Sequence, residues 1–236
     1  MSLPTLILIG GGGHCISCID VITSTLKFQI AGILDIKEKQ GTSVMGIPII
    51  GTDEDLPALK NKYDFFLVTI GQIKNPAGRM AIFKKLEIAG LKSPVIISPI
   101  AHVSSFSSIG EGSIIMHGAI LNAGSRVGKN CIINTKALIE HECVVEDHCH
   151  VSTAAVCNGQ VTLGTGSFIG SNATIRQGIF IGERAPAEQR HSNHIKVARS
   201  DAQHRDFRES FARSGRTTVD LEPPHGAATE WDRGCG

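Results

Sequence analysis

Residues 133 to 157 read INTKALIEHECVVEDHCHVSTAAVC, and an aliphatic residue or a cysteine returns there at every sixth position. The same period extends in both directions, over Val103 to about Arg184. The position four residues after each of these is almost always small, with Val161 and Ile179 as the large exceptions. The repeated positions are Val103, Ile109, Ile115, Leu121, Val127, Ile133, Ile139, Val145, Val151, Cys157, Leu163, Ile169, Ile175 and Ile181.

This period excludes the two common regular elements. An α-helix repeats about every 3.6 residues and a β-strand about every 2. A solenoid keeps a longer period, because each repeat takes the same place in successive coils and buries its apolar row on the next coil. Three hexads make a triangular coil of roughly 18 residues, with coils stacked at the strand spacing. The fourteen hexads therefore predict between four and five coils.

The composition narrows the class of protein. A chain of 236 residues has room for one or two domains. The net charge of +1 and the 5% of aromatic residues give no reason to expect nucleic acid or an acidic membrane as a partner. No apolar run reaches the ~20 residues that a membrane span needs. The seven cysteines show no paired framework, which predicts a reducing, cytoplasmic location.

The hexads resemble those of the left-handed parallel β-helix acyltransferases. More narrowly, the segment LIEHEC over residues 138–143, followed by HVS over 150–152, resembles the sugar O- and N-acetyltransferases. That family includes the bacillosamine-pathway acetyltransferase and the sialic acid O-acetyltransferases. The resemblance covers roughly residues 5 to 184. The left hand of the helix comes from this resemblance alone, because parallel crossovers are generally right-handed.

The residues before the hexads alternate between strands and helices, as in a Rossmann-like domain. A buried strand, Thr5–Ile9, runs into four glycines and a helix to about Thr25, and the strand that follows ends in Asp35. Further strands are predicted at 47–50, 65–70 and 95–97, with helices at 53–60 and 75–89. We therefore predict an α/β domain over 1–99, a left-handed β-helix (a β-solenoid) over 100–184, and a tail over 185–236.

The resemblance implies that the N-terminal domain binds the nucleotide of a nucleotide-activated sugar. NAD is an alternative ligand, although the GxGxxG fingerprint would require a glycine where Cys15 stands. A redox pair of Cys15 and Cys18 is a further alternative, but the surrounding thioredoxin-like pattern is absent. The residues carried over for the nucleotide are Gly13, His14, Asp35 and Gly71.

His141 is the candidate general base. It is the third residue of its hexad, a position that can project outward from a corner of the coil. Glu140 and Glu142 flank it, and a carboxylate neighbour can orient an imidazole and raise its basicity. Gly159 follows eighteen residues later, so it is expected one coil away, where its bare backbone N–H suits an oxyanion donor. The resemblance also assigns the catalytic histidine to this position.

The resemblance gives supporting roles near the acetyl group to His150 and Asn134. Zinc is an alternative for the histidines, because a class of carbonic anhydrases uses the same solenoid with histidine ligands. His117 and His141 are, however, 24 residues apart, which is one coil plus one face. They are expected to point from different sides, and we predict no metal site.

The tail after Arg184 has no hexads, few aliphatic residues, and a Pro223-Pro224 pair. The family normally continues with one or two coils and a Gly-Val-Pro-Ala-Lys-like ending near the cofactor. The tail resembles a frame-shifted or vector-derived sequence, with a disordered native extension as the alternative.

The sequence thus predicts an acetyl-CoA-dependent N-acetyltransferase that acts on the amine of a nucleotide-activated amino sugar, of the UDP-4-amino-sugar type. The resemblance implies a homotrimer with active sites between neighbouring β-helices. Two alternatives stay open: an O-acetyltransferase for a free sialic acid, and a non-catalytic binding or scaffold protein. The resemblance implies the UDP form, and a GDP-activated sugar stays open as an alternative.

Overall fold

The N-terminal part of the chain forms a five-stranded sheet with helices. The computed structural model describes residues 2–73 and 75–187. The helices and strands of this part of the chain are β1 (Thr5–Ile9), α1 (Gly13–Thr25), β2 (Gln29–Leu34), β3 (Ser43–Val44), β4 (Ile47–Gly51), α2 (Leu56–Leu59), β5 (Phe65–Val68) and α3 (Ala77–Ala89). The sheet order is β3-β4-β2-β1-β5, parallel except for the antiparallel β3–β4 pair.

The predicted elements of this domain are confirmed with small changes. The helix expected at 53–60 is a 3-10 turn, Asp53–Asp55, followed by the single turn of α2. Gly90 ends α3 in the left-handed conformation, with φ 63°, as a C-cap glycine does. The two-residue strand β3 has no counterpart in the prediction. It is too short to leave a periodic signal.

The hexads form a left-handed β-helix of three parallel sheets. Each hexad contributes one two-residue strand, which pairs with the strand eighteen residues later, as Ile139 pairs with Cys157. The strands are β6 (Ile96–Ile97), β7 (His102–Val103), β8 (Ser108–Ile109), β9 (Ile114–Ile115), β10 (Ile120–Leu121), β11 (Arg126–Val127), β12 (Ile132–Ile133), β13 (Leu138–Ile139), β14 (Val144–Val145), β15 (His150–Val151), β16 (Val156–Cys157), β17 (Thr162–Leu163), β18 (Phe168–Ile169), β19 (Thr174–Ile175), β20 (Phe180–Ile181) and β21 (Pro186–Ala187).

We name the three sheets by their strands. Sheet I holds β7, β10, β13, β16 and β19, sheet II holds β8, β11, β14, β17 and β20, and sheet III holds β6, β9, β12, β15, β18 and β21. The aliphatic positions and the small positions of the hexads line the interior as one core, which includes Ile139, Cys143, Cys149 and Cys157. Both rows of the repeat therefore have the buried role that the sequence predicted.

From β8 to β21, each corner between sheets turns through a residue with positive φ. Between 112 and 184, all thirteen such positions have φ of 52–74° and recur every six residues. Glycine and asparagine adopt this conformation most readily, and none of the other residues is β-branched. The positions are Gly112, Gly118, Gly124, Asn130, Lys136, Glu142, His148, Ala154, Gln160, Gly166, Asn172, Gly178 and Arg184.

The β-helix extends beyond its predicted limits at both ends. Ile96–Ile97 pairs with Ile114–Ile115 in sheet III, so the prediction that it is the last strand of the N-terminal domain is wrong. Pro186–Ala187 pairs with Phe168–Ile169, so the structure continues one strand past Arg184, where the repeat was expected to stop. The backbone pairing persists there although the apolar pattern has ended. The tail predicted as non-native falls, from residue 188 on, outside the described residues.

The N-terminal domain and sheet III share one apolar cluster. Cys15, Cys18 and Ile22 of α1 pack in it with Ile114 and Ile132 of the β-helix. The cluster packs α1 of the N-terminal domain against one face of the solenoid. Within the described residues, no helix has the length and apolar character to span a membrane.

Candidate active site

His141 lies in the turn that joins sheet I to sheet II. Glu140 to Cys143 form the four residues of this turn, with φ of 57° at Glu142, and the Cys143 N–H donates to the Glu140 carbonyl over 3.4 Å. Positive φ at the third residue is the mark of a type II turn. The turn presents the side chains of His141 and Glu142 to solvent, with exposed fractions of 52% and 62%. A substrate can therefore reach the imidazole.

The hydrogen bonds of Glu142 decide which nitrogen of His141 is free. Its Oε2 lies 3.3 Å from His141 Nδ1. Hydrogen bonds from Gln160 and from His141 hold the pKa of the Glu142 carboxyl below its usual value. An ionised carboxylate only accepts, so Nδ1 carries the proton in this contact. The lone pair of the neutral ring is then on Nε2, which faces away from Glu142 and can accept a proton.

Gly159 lies directly against that nitrogen, one coil along the solenoid. A Cβ built on Gly159 would lie 2.4 Å from His141 Nε2 and 2.5 Å from Cε1. The backbone of the next residue holds the two turns together, because Gln160 N–H donates to the His141 carbonyl over 2.9 Å. Among residues 2–73 and 75–187, no group accepts a hydrogen bond from the Gly159 N–H. Any side chain at position 159 would displace the His141 ring, so this position requires glycine.

Replacing Gly159 with alanine is expected to lower kcat by about 10- to 100-fold. The added methyl group overlaps His141 Nε2, so the ring must rotate away from its place, and small misplacements of a catalytic group carry costs of this size. The φ of Gly159 is not positive, so the backbone accepts alanine without strain. Steady-state kinetics together with an unchanged melting temperature would check this. A variant with full kcat would contradict it.

His150 belongs to a second cluster, on sheet III. Its side chain is 5% exposed. Nδ1 bonds the Gln72 carbonyl, which can only accept, so Nδ1 carries the proton. Nε2 then accepts from Asn134 Nδ2 over 3.2 Å. Burial lowers the pKa of His150 to about 4, against the opposing effect of the Gln72 bond. His150 is therefore a neutral imidazole with both nitrogens engaged inside the chain.

His14, at the start of α1, completes this second cluster. Its ring centroid lies 6.3 Å from that of His150. Gly71 allows the approach of the glycine loop, because a Cβ there would lie 3.2 Å from the His14 Cβ. Burial, followed by the charge of Arg79, lowers the pKa of His14 to about 3. Its Nε2 is buried and has no hydrogen-bond partner among the described residues. Gln72 Oε1, from the residue whose carbonyl bonds His150, is buried and unpaired among the described residues in the same way.

The two clusters lie on different sides of one β-helix. His141 is in the turn between sheets I and II, whereas His150 and Asn134 belong to sheet III and the end of its strands. Within a single chain the structure joins His141 with Glu142 and Gly159, and joins His150 with Asn134 and His14. The predicted role of His150 and Asn134 beside the acetyl group stays a prediction.

We expect His150 to make the stability of the protein depend on pH. Its pKa is about 4 in the folded chain and about 6.5 when unfolded, so its contribution is complete above pH 6.5 and is lost as the pH falls toward 4. Between pH 7 and pH 5 the wild type should lose about 1–2 kcal/mol more than a His150→Gln variant. Urea unfolding of both proteins at the two pH values checks this, since every other titrating group is shared. Equal losses would contradict it.

Asp35 holds the glycine loop in place. Its Oδ2 accepts from the Gly11 N–H and from Lys39 Nζ, and its Oδ1 accepts from the Ile36 N–H, over 2.7–2.9 Å. Burial opposes its ionisation, but these bonds keep its pKa below the usual value. The loop continues through Gly12 and Gly13, where an added Cβ would meet no atom within 4 Å. The start of α1 is thus open, with Asp35 shaping the approach to it.

Sequence reasoning missed three residues that these clusters use: Gln160, Gln72 and Arg79. Gln160 could have been found, because it lies eighteen residues after Glu142 and donates to Glu142 Oε2 over 3.1 Å. Gln72 and Arg79 make their contacts between the N-terminal domain and the β-helix, as in the Gln72 Nε2 bond to the Gly166 carbonyl. No periodicity in the sequence encodes that interface.

Comparison with known proteins identifies the relatives of this chain. The family model of the PglD N-terminal domain matches residues 5–86. The acetyltransferase domain of PglB from Neisseria gonorrhoeae, in complex with acetyl coenzyme A, is 30% identical, with a TM-score of 0.72 over 79% of this chain and 89% of that one. No curated protein sequence matched the chain.

Perosamine N-acetyltransferase from Caulobacter crescentus, a histidine-to-asparagine variant with CoA and GDP-perosamine, is also 30% identical. Its TM-score is 0.73, over 78% of this chain and 86% of that one. WeeI from Acinetobacter baumannii is 19% identical with a TM-score of 0.64, and shares the fold. The PglB domain and the perosamine enzyme are each 30% identical to this chain and are covered over 89% and 86% of their length. The chain therefore belongs to the hexapeptide-repeat sugar acetyltransferases, and is an acetyl-CoA-dependent acetyltransferase.

Proposed function

We propose that the protein transfers the acetyl group of acetyl-CoA to the amine of a UDP-activated 4-amino sugar. His141 Nε2 takes a proton from the amine as the amine nitrogen attacks the thioester carbonyl. The C–S bond then breaks, and the CoA thiolate leaves and recovers that proton from the imidazolium. The Gly159 N–H is the candidate donor to the oxyanion. No side chain forms a covalent intermediate in this scheme.

One observation carries the assignment of His141. It is an exposed imidazole whose Nδ1 is bound by an ionised carboxylate and whose Nε2 lies over a glycine. The first contact favours the imidazolium that forms in the transition state, and the second leaves room for the reacting groups. In two structures of the perosamine enzyme a histidine is replaced, by asparagine or by alanine, which is in keeping with a functional histidine in that relative.

The nucleotide part of the substrate is assigned to the glycine loop. Gly13 opens α1, and the N-terminus of a helix favours an anionic group through its free N–H groups and dipole. His14, Asp35 and Gly71 surround this point, so the four predicted residues meet at one edge of the N-terminal sheet. Ligands of parallel sheets bind at the carboxyl ends of the strands. The glycine loop, Asp35 and Gly71 follow the carboxyl ends of β1, β2 and β5.

A homotrimer completes this proposal. Within one chain the turn of His141 and the glycine loop are separated by the body of the β-helix. A neighbouring subunit that brings its own N-terminal domain to the turn would place the acceptor amine of the sugar beside the base. The predicted trimer supplies that arrangement. Light scattering of the purified protein tests it, and a monomer with full activity would contradict it.

Release of the CoA thiol, measured against a panel of acceptors, tests the reaction. The panel holds UDP- and GDP-linked 4-amino sugars and a free sialic acid. We expect turnover with a UDP-amino sugar and an acetamide product by mass spectrometry. Turnover with the GDP sugar would move the assignment to the ligand seen in the perosamine enzyme. An ester on sialic acid would support O-acetylation, and no thiol release would support a binding role.

Replacing Asp35 with alanine is expected to raise the KM for the sugar nucleotide by about tenfold and to leave the KM for acetyl-CoA unchanged. The carboxylate holds Gly11 and Ile36 by hydrogen bonds, and loss of uniform binding appears in KM rather than in kcat. Steady-state kinetics with each substrate varied in turn check this. The matched control is Asp64→Ala, which removes a carboxylate bonded to Thr5 at the other end of β1. Equal changes in both KM values would contradict the role.

A further inference from the structure

We infer that Gln160 is a positioning residue for the acetyl transfer, which holds Glu142 in the orientation that His141 requires. This inference rests on the proposed role of His141. Gln160 lies one coil beyond Glu142, at the same corner of the β-helix. Among the described residues, its hydrogen bonds to the other residues of the site reach the His141 carbonyl and the Glu142 carboxylate, and none reaches the imidazole. It acts through the carboxylate.

A closed ring of hydrogen bonds links the three residues. The Gln160 backbone N–H donates to the His141 carbonyl over 2.9 Å. Its side-chain Nε2 donates to Glu142 Oε2 over 3.1 Å. The same Oε2 accepts from His141 Nδ1 over 3.3 Å. Gln160 is thus anchored on the backbone of the base and fixes the oxygen that orients the ring of that base.

The exposure of Glu142 explains why the hydrogen bond from the Gln160 side chain matters. The side chain is 62% exposed, and a single contact between exposed charged groups is worth little against the freedom of the side chains. An additional donor on the same oxygen restricts the rotation of the carboxylate. The bond to Gln160 is also the largest cause of the lowered pKa of Glu142, so it favours the ionised form that His141 needs.

Glu140, the other carboxylate of the turn, is also held by a side chain of a neighbouring coil, but it contacts the backbone of His141 and not the ring. Asn122 Nδ2 donates to Glu140 Oε2 over 3.0 Å, from the coil on the opposite side. That oxygen lies 3.3 Å from the His141 backbone N–H and not at the ring. Both flanking carboxylates are therefore fixed between coils, and Gln160 holds the one that reaches the imidazole.

A double-mutant cycle tests the inference in the full chain. Gln160→Met removes the N–H donor and keeps the length of the side chain, and Glu142→Ala removes the group that Gln160 is inferred to hold. The control is Asn172→Met, which places methionine at the same left-handed backbone position, φ 57°, in the turn between sheets III and I. The readouts are kcat and KM for acetyl-CoA and the sugar nucleotide, with the melting temperature for each variant.

We expect Gln160→Met to lower kcat by about 3- to 10-fold, the range that one hydrogen bond supports, with both KM values nearly unchanged. In the Glu142→Ala background the same substitution should have no further effect, because its target is gone. Asn172→Met should retain wild-type kcat. Equal losses in both backgrounds, or none in the wild type, would overturn the inference alone. A wild-type chain without acetyl transfer would overturn the proposed function as well.

Discussion

Replacement of His141 with alanine is expected to lower kcat by about 10²–10⁴-fold, the usual loss when a general base is removed. The nucleotide sugar should still bind with wild-type affinity, because the glycine loop is proposed to hold its nucleotide and the substitution leaves that loop unchanged. The side chain is 52% exposed and packs into no core, so the melting temperature should change little. Thiol-release kinetics, with calorimetry for sugar-nucleotide binding, would measure each expectation.

The control for this experiment is a second exposed histidine of the same β-helix. His102 lies on β7 in sheet I, and His102→Ala should keep the activity of the wild type. A His141→Ala variant that retains more than about a tenth of wild-type kcat would remove His141 from the mechanism. Such a result would leave the membership in the acetyltransferase family untouched, since that rests on the chain as a whole.

The regular part of the structure follows from its sequence for a physical reason. A hexad places Ile139, Cys143 and Val145 in fixed interior positions, and the period carries the register of eighteen residues from coil to coil. That register also brings Gly159 to His141 and Gln160 to Glu142. The geometry of the turn of His141 was therefore predictable as soon as the repeat was recognised, although Gln160 was overlooked.

The contacts between the two parts of the chain were not predictable in this way. His150 and Asn134 occupy ordinary hexad positions, and nothing in their spacing says that sheet III is covered by the N-terminal domain. His150 is buried because the Gln72 loop lies on it. A residue on an outward strand position can thus be buried or exposed, depending on a partner that is distant in the sequence. Ile96–Ile97 was misassigned for the same reason.

Arg79 is a buried charged residue at the interface between the N-terminal domain and the β-helix. It lies on α3 and is 1% exposed. Nη1 donates to the carbonyls of Val68 and Ile70 over 2.8 and 2.9 Å, while Nε and Nη2 both donate to the Asn130 carbonyl over 3.2 Å. Among the described residues no carboxylate pairs with it. Burial lowers its pKa to about 10, so it stays charged at neutral pH. The charge is compensated by carbonyl dipoles from both parts of the chain.

Replacement of Arg79 with methionine is therefore expected to lower the free energy of unfolding by about 3–5 kcal/mol, because the carbonyls of Val68, Ile70 and Asn130 lose this donor at once and two of these bonding sites are buried. Arg79→Lys should lose less, since the lysine ammonium keeps the positive charge but cannot reach carbonyls on both sides as the planar guanidinium does. The control is Lys84→Met, on the exposed side of α3, which breaks only an exposed ion pair with Glu87 and should cost about 0–1 kcal/mol. Urea unfolding at pH 7, followed by circular dichroism, measures all three. If Arg79→Met unfolds at the same urea concentration as Lys84→Met, the guanidinium does not hold the N-terminal domain on the β-helix, and the apolar cluster of α1 and sheet III must do so alone.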